Sequence, residues 1–252
     1  MTGSGKTRSW YLDPLVAEQK RQVMQSWVRQ ALDSWKPEAV IKTDLFEEAY
    51  GQDRIFDDLF PGARIAVGVD VEIETVARAA RIHGASFCCT ACDVRRLPFP
   101  SLSVDLVLSP STLDHFESQA ELTESLDELA RILRPGGMLL ITLDNPTNPL
   151  YYALRWGSRR GWTPFRLGHT LSSGTLQQLL RERGFRIEGQ SFLIHNPRGV
   201  STVVFLALRK LLGRHASAPI RLLLAVFAAM GKLPSRRFTA CFHAVAATKI
   251  AD

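Results

Sequence analysis

Two aspartates in this chain stand where short apolar runs end. Asp70 comes at the end of the β-branched run Ala63–Val71, and Asp93 follows Ser86–Cys92. A carboxylate at the end of the second strand of a nucleotide-binding sheet accepts hydrogen bonds from ribose hydroxyls, which is the chemistry we expect of Asp70. Asp93 lies beside the same predicted crevice and could accept a hydrogen bond from an adenine amino group. The alternatives are structural, since Asp70 could cap the following helix and Asp93 could be a turn residue.

A histidine follows the next apolar run of the chain. Val104–Ser109 leads into the segment Ser109–Phe116, which contains Asp114 and His115. His115 is the best candidate for a general base, because the charge of histidine changes near neutral pH. Asp114 could orient His115 or hold a substrate hydroxyl. Alternatively, Asp114 caps a helix over Glu117–Leu133 and His115 only packs.

The elements that must position these residues alternate between strand and helix. Four leucines recur at helical spacing after the run Val104–Ser109: Leu122, Leu126, Leu129 and Leu133. We expect Pro135–Gly137 to end this helix and Met138–Leu143 to form the next strand. Such alternation predicts an α/β protein with a doubly wound, mostly parallel sheet that is covered on both faces. Ligands bind beyond the carboxyl ends of the strands in such sheets, where the two aspartates stand.

Four consecutive motifs carry a resemblance to a known family. They are GVDVEIETVARAA, CDVRRLPFP, SVDLVLSPSTLDHF and LARILRPGGMLLITLDNP. Over Val40 to Leu193, and again near Phe242–Ile250, the chain resembles class I S-adenosylmethionine-dependent methyltransferases, nearest to the small-molecule enzymes of ubiquinone and menaquinone biosynthesis. The resemblance implies a Rossmann-like, seven-stranded sheet with an antiparallel last strand, and S-adenosyl-L-methionine as the cofactor. The cofactor contacts that we predict are Asp44, Asp70, Val71, Asp93, Val94 and Ser109.

The loop after the first strand departs from the family's pattern. The family usually has an acid and a glycine-rich loop here, which lets the backbone approach the cofactor closely. Of such glycines, the stretch from Val40 keeps only Gly51. Asp44, Glu47 or Glu48 could still meet the cofactor's amino group, because a cation favours nearby carboxylates. Otherwise this is a solvated acidic loop, and the departure then favours a non-catalytic relative.

Aromatic residues on both sides of the sheet region are candidates for substrate binding. Asp13–Trp35 reads as a helix with Asp13 as its N-cap, and in the resembled family such a helix often covers the substrate entrance. The residues that we predict to bind substrate are Trp10, Tyr11, Tyr151, Tyr152 and Trp156. The last three are interleaved with arginines, which suits a substrate wall or a stacking surface. Plain packing is the alternative for both groups.

Positive charge is concentrated in the second half of the chain. The net charge is +6 overall, and residues 155–237 hold 15 Lys and Arg against two Glu. This asymmetry suggests an anionic partner, although ordinary solvation would also explain it. Within this half, Val200–Leu212 and Ile220–Met230 read as apolar helices, and neither run alone reaches the roughly 20 residues of a membrane span. These helices could lie on a membrane surface, cap a hydrophobic pocket or form a homodimer contact.

The remaining features bound the class of protein. The four cysteines include one C-x-x-C, Cys89 to Cys92, without a second pair. We therefore expect the cysteines to be small buried residues and to bind no metal. We also expect a reducing, cytoplasmic setting. No RNA-binding signature is visible, so we do not expect a nucleic-acid partner.

Three segments follow from this reading: an N-terminal helical segment (1–36), a cofactor-binding core (37–196 with 238–252) and a helical cap (197–237). The expected activity is methyl transfer from S-adenosylmethionine to a small, hydrophobic acceptor of natural-product or isoprenoid/lipid type. The enzyme could also be membrane-associated. An RNA methyltransferase and a non-catalytic, cofactor-binding scaffold or regulatory protein are the alternatives.

Overall fold

The computed structural model describes residues 13–162 and 167–251. The strands are β1 (Ala39–Thr43), β2 (Ile65–Asp70), β3 (Cys88–Ala91), β4 (Val104–Pro110), β5 (Leu133–Asp144), β6 (Phe185–Leu193) and β7 (Phe242–Lys249). The α-helices are α1 (Pro14–Leu32), α2 (Phe46–Tyr50), α3 (Phe56–Leu59), α4 (Ile73–His83), α5 (Gln119–Ile132), α6 (Pro149–Arg159), α7 (Ser173–Glu182), α8 (Val200–Leu212), α9 (Ser217–Met230) and α10 (Arg236–Thr239). Short 3₁₀ turns cover Leu113–His115 and Gly213–Ala216. Trp10 and Tyr11 lie outside the described residues.

The strands form one sheet in the order β3-β2-β1-β4-β5-β7-β6. Neighbouring strands from β3 to β5 are parallel, whereas β7 runs antiparallel to both β5 and β6. The predicted α/β class and the mostly parallel sheet with an antiparallel last strand are therefore confirmed. The strand order reverses between β1 and β4, so the carboxyl ends of these strands border a crevice of the kind that binds ligands in open α/β sheets.

Apolar side chains cover both faces of the sheet. On one face, the buried Leu122 and Leu126 of α5 and Leu176 of α7 pack against the strands. On the other face, Trp27 of α1 and Ala79 of α4 do the same. Alternate residues of each strand supply the two faces, as the side-chain period of a strand requires. The three-layer packing therefore fixes where the carboxyl ends of the strands lie.

The Pro-Gly-Gly turn lies inside a strand. We predicted that Pro135–Gly137 ends the helix of the leucine stripe, but α5 ends at Ile132 and β5 already begins at Leu133. The pairing of β4 with β5 shifts register between Val104 and Leu106, so the extra residues form a bulge. A Cβ at Gly137 would lie 2.8 Å from the Arg134 carbonyl oxygen, which explains why a glycine stands there. The helix start is set by a capping box of Ser118 with Glu121.

The segment before β7 is helical, as predicted. α8 begins at Val200, whereas α9 begins at Ser217, earlier than the predicted Ile220. With the 3₁₀ turn between them, Val200–Met230 is a 31-residue helical run with a mean hydropathy of 1.3, long and apolar enough by length and composition to cross a membrane. Phe205 of α8 and Ile220 of α9 pack on the beginning of α1. The division of the chain at residues 36, 197 and 237 stays a prediction.

Two further details differ from the sequence-based expectations. The aromatic and arginine-rich segment after Asn148 forms the helix α6, which Asn148 caps and Pro149 begins. Cys241 is buried as expected, whereas Cys88 is exposed because β3 is an edge strand. Among residues 13–162 and 167–251, no group of three or more His, Cys, Asp or Glu is placed to hold a metal ion.

Candidate active site

Asp70 ties together two loops at the carboxyl edge of the sheet. Its Oδ2 accepts a hydrogen bond from the Leu45 amide at 2.9 Å, and its Oδ1 accepts one from the Glu72 amide at 2.8 Å. A carboxylate offers about four lone-pair sites, so these two bonds leave acceptor capacity at the edge. The side chain is half-buried, at the end of β2, where a ribose would lie in this class of fold. Asp70 therefore has a structural role, and its contact with the ribose stays a prediction.

Asp93 is clamped by its own neighbour. The Arg95 guanidinium donates to Oδ1 at 3.0 Å through Nε and to Oδ2 at 2.6 Å through Nη2, and the Arg95 amide also donates to Oδ1. These hydrogen bonds lower the pKa of Asp93 despite its partial burial. An adenine amino group would therefore compete with Arg95 for the acceptor positions of this carboxylate. The adenine contact of Asp93 stays a prediction, and so does that of Val94, which is buried. Val71, just beyond the end of β2, is 69% exposed.

The loop after β1 is built without the usual glycines. Asp44 has a φ of +66°, a conformation that glycine adopts far more readily, and its Oδ1 accepts the Phe46 amide at 2.7 Å. The next residue, Leu45, is fully buried and packs over Gly68 of β2, where a Cβ would lie 2.4 Å from the Leu45 Cδ2. Gly68 therefore permits the close packing of Leu45 on β2.

A buried charged cluster stands behind this loop. Lys42 and Glu48 are both buried, with 3.6 Å between the Lys42 Nζ and the Glu48 Oε1, and Lys42 also donates to the Asp44 carbonyl oxygen. The His83 Nε2 lies 3.4 Å from the Glu48 Oε2. The suggestion that Glu48 meets the cofactor is wrong for this arrangement, because its carboxylate is buried and engaged. Breaking a buried ion pair is costly, so the cluster fixes the loop.

Of the three acids in the loop, Asp44 faces the crevice. Glu47 forms a 3.1 Å ion pair with Lys20 of α1; burial opposes its ionisation, but Lys20 and Lys42 outweigh this and lower its pKa to about 2. Burial, with the nearby charge of Glu47, raises the pKa of Asp44 to about 7. A carboxylate that titrates near neutral pH at a crevice is a candidate functional group.

His115 faces Asp44 across the crevice. The His115 Nε2 lies 4.0 Å from the Asp44 Oδ2, and the imidazole is 54% exposed. Burial by itself lowers the pKa of His115, but the charges of Asp114, Asp44 and Asp144 outweigh it and raise that pKa. The carboxyl ends of β1 and β4 thus bring together two groups that the sequence suggested separately. The pair could hold or pass one proton near neutral pH.

Asp114 anchors the turn that carries His115. Its carboxylate accepts hydrogen bonds from the Ser111 hydroxyl, at 2.9 Å and 3.1 Å, and from the Asp144 amide at 2.6 Å. Burial, together with the charge of Asp144, raises the pKa of Asp114 to about 6. The alternative that Asp114 caps the next helix is wrong, because Ser118 caps α5. The Ser109 hydroxyl is buried and accepts a hydrogen bond from Thr43 at 2.9 Å.

An ion pair that was not predicted completes this edge of the sheet. Asp144 at the end of β5 receives the Arg198 Nη1 on its Oδ1 at 2.6 Å, and the Arg198 guanidinium lies 4.1 Å from the centre of the Phe242 ring. Both groups line a small cavity with Tyr151 and Leu167. Asp144 ends a strand just as Asp70 does, and this signal could have identified it. No local sequence pattern links Arg198 to Asp144, which lies 54 positions earlier in the chain.

The predicted aromatic wall divides between the interior and the surface. Tyr151 is buried, its hydroxyl donates to the Gly168 carbonyl oxygen at 3.4 Å, and burial raises its pKa to about 12. Tyr152 and Trp156 are 60% and 51% exposed on the outer side of α6. The Arg160 guanidinium lies 3.7 Å from the centre of the Trp156 ring. Tyr151 alone of the three lies beside Asp144, and substrate binding by all three stays a prediction.

The sheet order and the acids at its carboxyl edge agree with the predicted resemblance to class I S-adenosylmethionine-dependent methyltransferases. Comparison with known proteins agrees, since residues 47–141 match the model of the methyltransferase domain family. A protein of Mycolicibacterium smegmatis described as a probable S-adenosylmethionine-dependent methyltransferase is 31% identical over 157 residues, which are 59% of this chain and 52% of that protein. The chain thus spans about half the length of the curated relatives that it matches.

Solved structures support the same fold. The N-methyltransferase NodS from Bradyrhizobium japonicum, in complex with S-adenosyl-l-homocysteine, has a TM-score of 0.58 at 15% identity, covering 98% of this chain and 94% of that one. A methyltransferase from Archaeoglobus fulgidus has a TM-score of 0.59 at 16% identity, covering 91% and 94%. These likenesses show the fold, and the sequence relatives are described as probable S-adenosylmethionine-dependent methyltransferases. The finer resemblance to enzymes of ubiquinone and menaquinone biosynthesis stays a prediction.

Proposed function

We propose that this chain transfers a methyl group from S-adenosylmethionine to a small, hydrophobic acceptor of natural-product or isoprenoid/lipid type. The observation that carries the proposal is the Asp70 carboxylate, which keeps free acceptor capacity at the carboxyl edge of β2. It lies within the stretch that matches the methyltransferase domain model. A cytoplasmic location, with access to a membrane, fits such an acceptor.

The described residues fit the cofactor at three points. Asp70 would accept the ribose hydroxyls, and the exposed Val71 would lie against the adenine ring. Asp44 would face the ammonium group, and a cation there would favour its ionised form, which burial now disfavours. When bound, S-adenosylmethionine supplies an electrophilic methyl group on a sulfonium.

The chain's own contribution is to position the acceptor and to handle its proton. His115 would take that proton at Nε2, helped by the carboxylates that raise its pKa. Asp114 acts as a positioning residue, because it fixes the 3₁₀ turn of His115 to the β5 amide of Asp144. Carbon methylation would need no early deprotonation, and His115 would then only contact the acceptor.

We further propose that the insertion between β6 and β7 caps the acceptor site. It leaves the sheet where β6 ends and returns where β7 begins, and both points lie at the carboxyl edge of the parallel strands. Arg198 binds Asp144 at one end of the insertion. At the other end, the Asn145 side-chain amide donates to the carbonyl oxygens of Arg237 at 2.7 Å and Ala240 at 3.0 Å. The cap is thus tied at both ends to the end of β5.

A cofactor-binding scaffold without catalysis is the second candidate. The observation that favours it is the set of hydrogen bonds from Arg95 to Asp93, with which an adenine amino group would compete. The missing glycine-rich loop points the same way. An RNA methyltransferase is the other alternative. The labelling experiment described next separates it from a lipid enzyme, because lipid and RNA fractions are offered separately as acceptors.

The proposal is tested with methyl-labelled S-adenosylmethionine. The purified chain is incubated with separate lipid and RNA fractions of a cell extract, with Asp70→Ala as the impaired variant and Glu124→Ala, at an exposed helical position, as the control. We expect label in the lipid fraction with the parent and with Glu124→Ala, and much less with Asp70→Ala. Label in the RNA fraction alone would contradict the acceptor class. Cofactor binding without any labelled product would favour the scaffold.

A further inference from the structure

The helix α8 carries an apolar stripe on the side that faces away from the protein. Phe205 is buried against the rest of the molecule, and the opposite side of the helix presents Val203, Val204 and Leu211, which are 67%, 39% and 79% exposed. Val200 and Ala207 lie on the same side at helical spacing and are also exposed. A continuous exposed apolar stripe of this kind marks an interaction site more often than inert surface.

The helix α9 repeats this arrangement. Ile220 and Leu224 are buried in the contact with α8 and α1, whereas Leu222 and Val226 are 66% and 53% exposed. Ala225 lies between these two in the outward stripe and is exposed. Each helix of the insertion therefore buries one apolar side and leaves a second apolar side uncovered.

The charge of the insertion is entirely positive. Residues 197–237 contain eight Lys and Arg and no Asp or Glu. Two of the eight are held in ion pairs, Arg198 with Asp144 and Arg209 with Asp13. The other six are exposed: Lys210, Arg214, Arg221, Lys232, Arg236 and Arg237. An apolar surface bordered by cations complements an anionic bilayer, which has an apolar hydrocarbon core and anionic headgroups.

The geometry favours a helix pair on the membrane surface over a membrane span. The run Val200–Met230 is broken at Gly213, whose φ of +51° ends α8. α8 has 13 residues and α9 has 14. At a rise of about 1.5 Å per residue each helix is roughly 20 Å long, shorter than the hydrocarbon core of about 30 Å. Short apolar helices with cations at their ends are suited to lie in the interface plane.

Two exposed tryptophans lie on and just after α6, the helix that contacts the beginning of α8. The Leu154 Cδ2 of α6 lies 3.2 Å from the position of a Cβ at Gly199, which shows that α6 and the start of α8 are neighbours. Trp156 and Trp162 meet edge to face, with 4.8 Å between their ring centres, and both are more than half exposed. Tryptophan rings with arginines between them favour the headgroup level of a bilayer.

We propose that the outward stripes of α8 and α9 adsorb to the surface of an anionic lipid bilayer, with Trp156 and Trp162 at the headgroup level. This surface goes beyond the proposed methyl transfer, because adsorption needs neither cofactor nor acceptor. If the acceptor is a lipid, adsorption also brings the cap of the acceptor site to the membrane that holds the acceptor.

The test is flotation of the whole chain with vesicles, without cofactor. Vesicles of phosphatidylcholine alone are compared with vesicles that also contain phosphatidylglycerol, at low and at high salt. We expect binding to the anionic vesicles at low salt and less at high salt, since salt screens the attraction. The Val203→Ser/Leu211→Ser variant should bind at least about tenfold less tightly, because two large aliphatic groups no longer enter the bilayer.

Two controls keep the result interpretable. Ile73→Ser removes an aliphatic side chain of α4 that is 74% exposed, and it should bind like the parent. Circular dichroism should show all variants folded, because each substituted side chain is exposed.

A parent that stays unbound at low salt, or a double variant that binds as well as the parent, would overturn the proposal. Equal binding to neutral and anionic vesicles would overturn the anionic part. A parent dimer that the double variant dissociates, without vesicle binding, would assign the stripes to a second copy of the chain.

Discussion

Replacing Asp70 with alanine should weaken cofactor binding and loosen the site at the same time. The carboxylate now accepts the amides of Leu45 and Glu72, and a ribose would add hydrogen bonds to the same charged group. A hydrogen bond to a charged group contributes about 1.5–3 kcal/mol. Loss of the ribose bonds alone therefore corresponds to about 10- to 150-fold weaker binding of S-adenosylmethionine.

The stability of the protein should fall as well. In the Asp70→Ala variant the Leu45 amide loses its acceptor, and Leu45 is fully buried. An unsatisfied buried donor costs about 1–3 kcal/mol in the free energy of unfolding. Asp70→Asn is the matched variant, because its amide oxygen can still accept one of the two backbone amides. It should lose less stability than alanine while still losing the charge that faces the ribose.

Calorimetric titration with S-adenosylmethionine and urea unfolding separate the two effects. We expect both variants to bind more weakly than the parent, with the asparagine variant closer to it in stability. Binding by Asp70→Ala that equals that of the parent would refute the reasoning, because it would reduce Asp70 to a tether between loops.

Three further predictions concern the other groups at this edge. His115→Ala should lower turnover by roughly 10²–10⁴-fold with little change in cofactor affinity, as measured by steady-state kinetics and calorimetry, and His215→Ala, at an exposed position, should not. Burial raises the pKa of Asp44 to about 7, so if cofactor binding needs ionised Asp44, the affinity for S-adenosylmethionine should fall as the pH drops through about 7. Calorimetry at several pH values should find this fall in the parent and no such fall in Asp44→Asn. Replacement of residues 200–237 by a Gly/Ser linker should keep cofactor binding and abolish methyl transfer, whereas a folded deletion variant that methylates at the parent's rate would refute the cap.

Much of the fold followed from periodicity in the sequence. The leucine stripe of α5, the cap of α1 and the apolar strands were predictable, because burial of one face imposes a fixed spacing on each element. Pro135–Gly137 misled the prediction, because a bulged strand and a helix end favour the same residues. α6 was missed for a similar reason, since its aromatic residues were interpreted as a substrate wall instead of a helix.

The site was predictable only in its outline. Strand ends placed Asp70, Asp93 and His115 at one edge, because parallel strands share their direction. The clamp of Arg95 on Asp93 and the approach of His115 to Asp44 depend on side-chain conformations that no spacing reveals. The ion pair of Asp144 with Arg198 joins distant parts of the chain, so only the folded molecule shows it.

The most direct test of the proposed activity is the fate of the cofactor itself. The purified chain is incubated with S-adenosylmethionine and a lipid extract, and mass spectrometry follows the cofactor and the acceptor. The proposal predicts S-adenosylhomocysteine in step with a lipid product that is heavier by one CH₂ unit, and strongly reduced formation of both by Asp70→Ala. If the chain binds S-adenosylmethionine but leaves it intact with every acceptor fraction, that result would contradict a methyltransferase and support a scaffold.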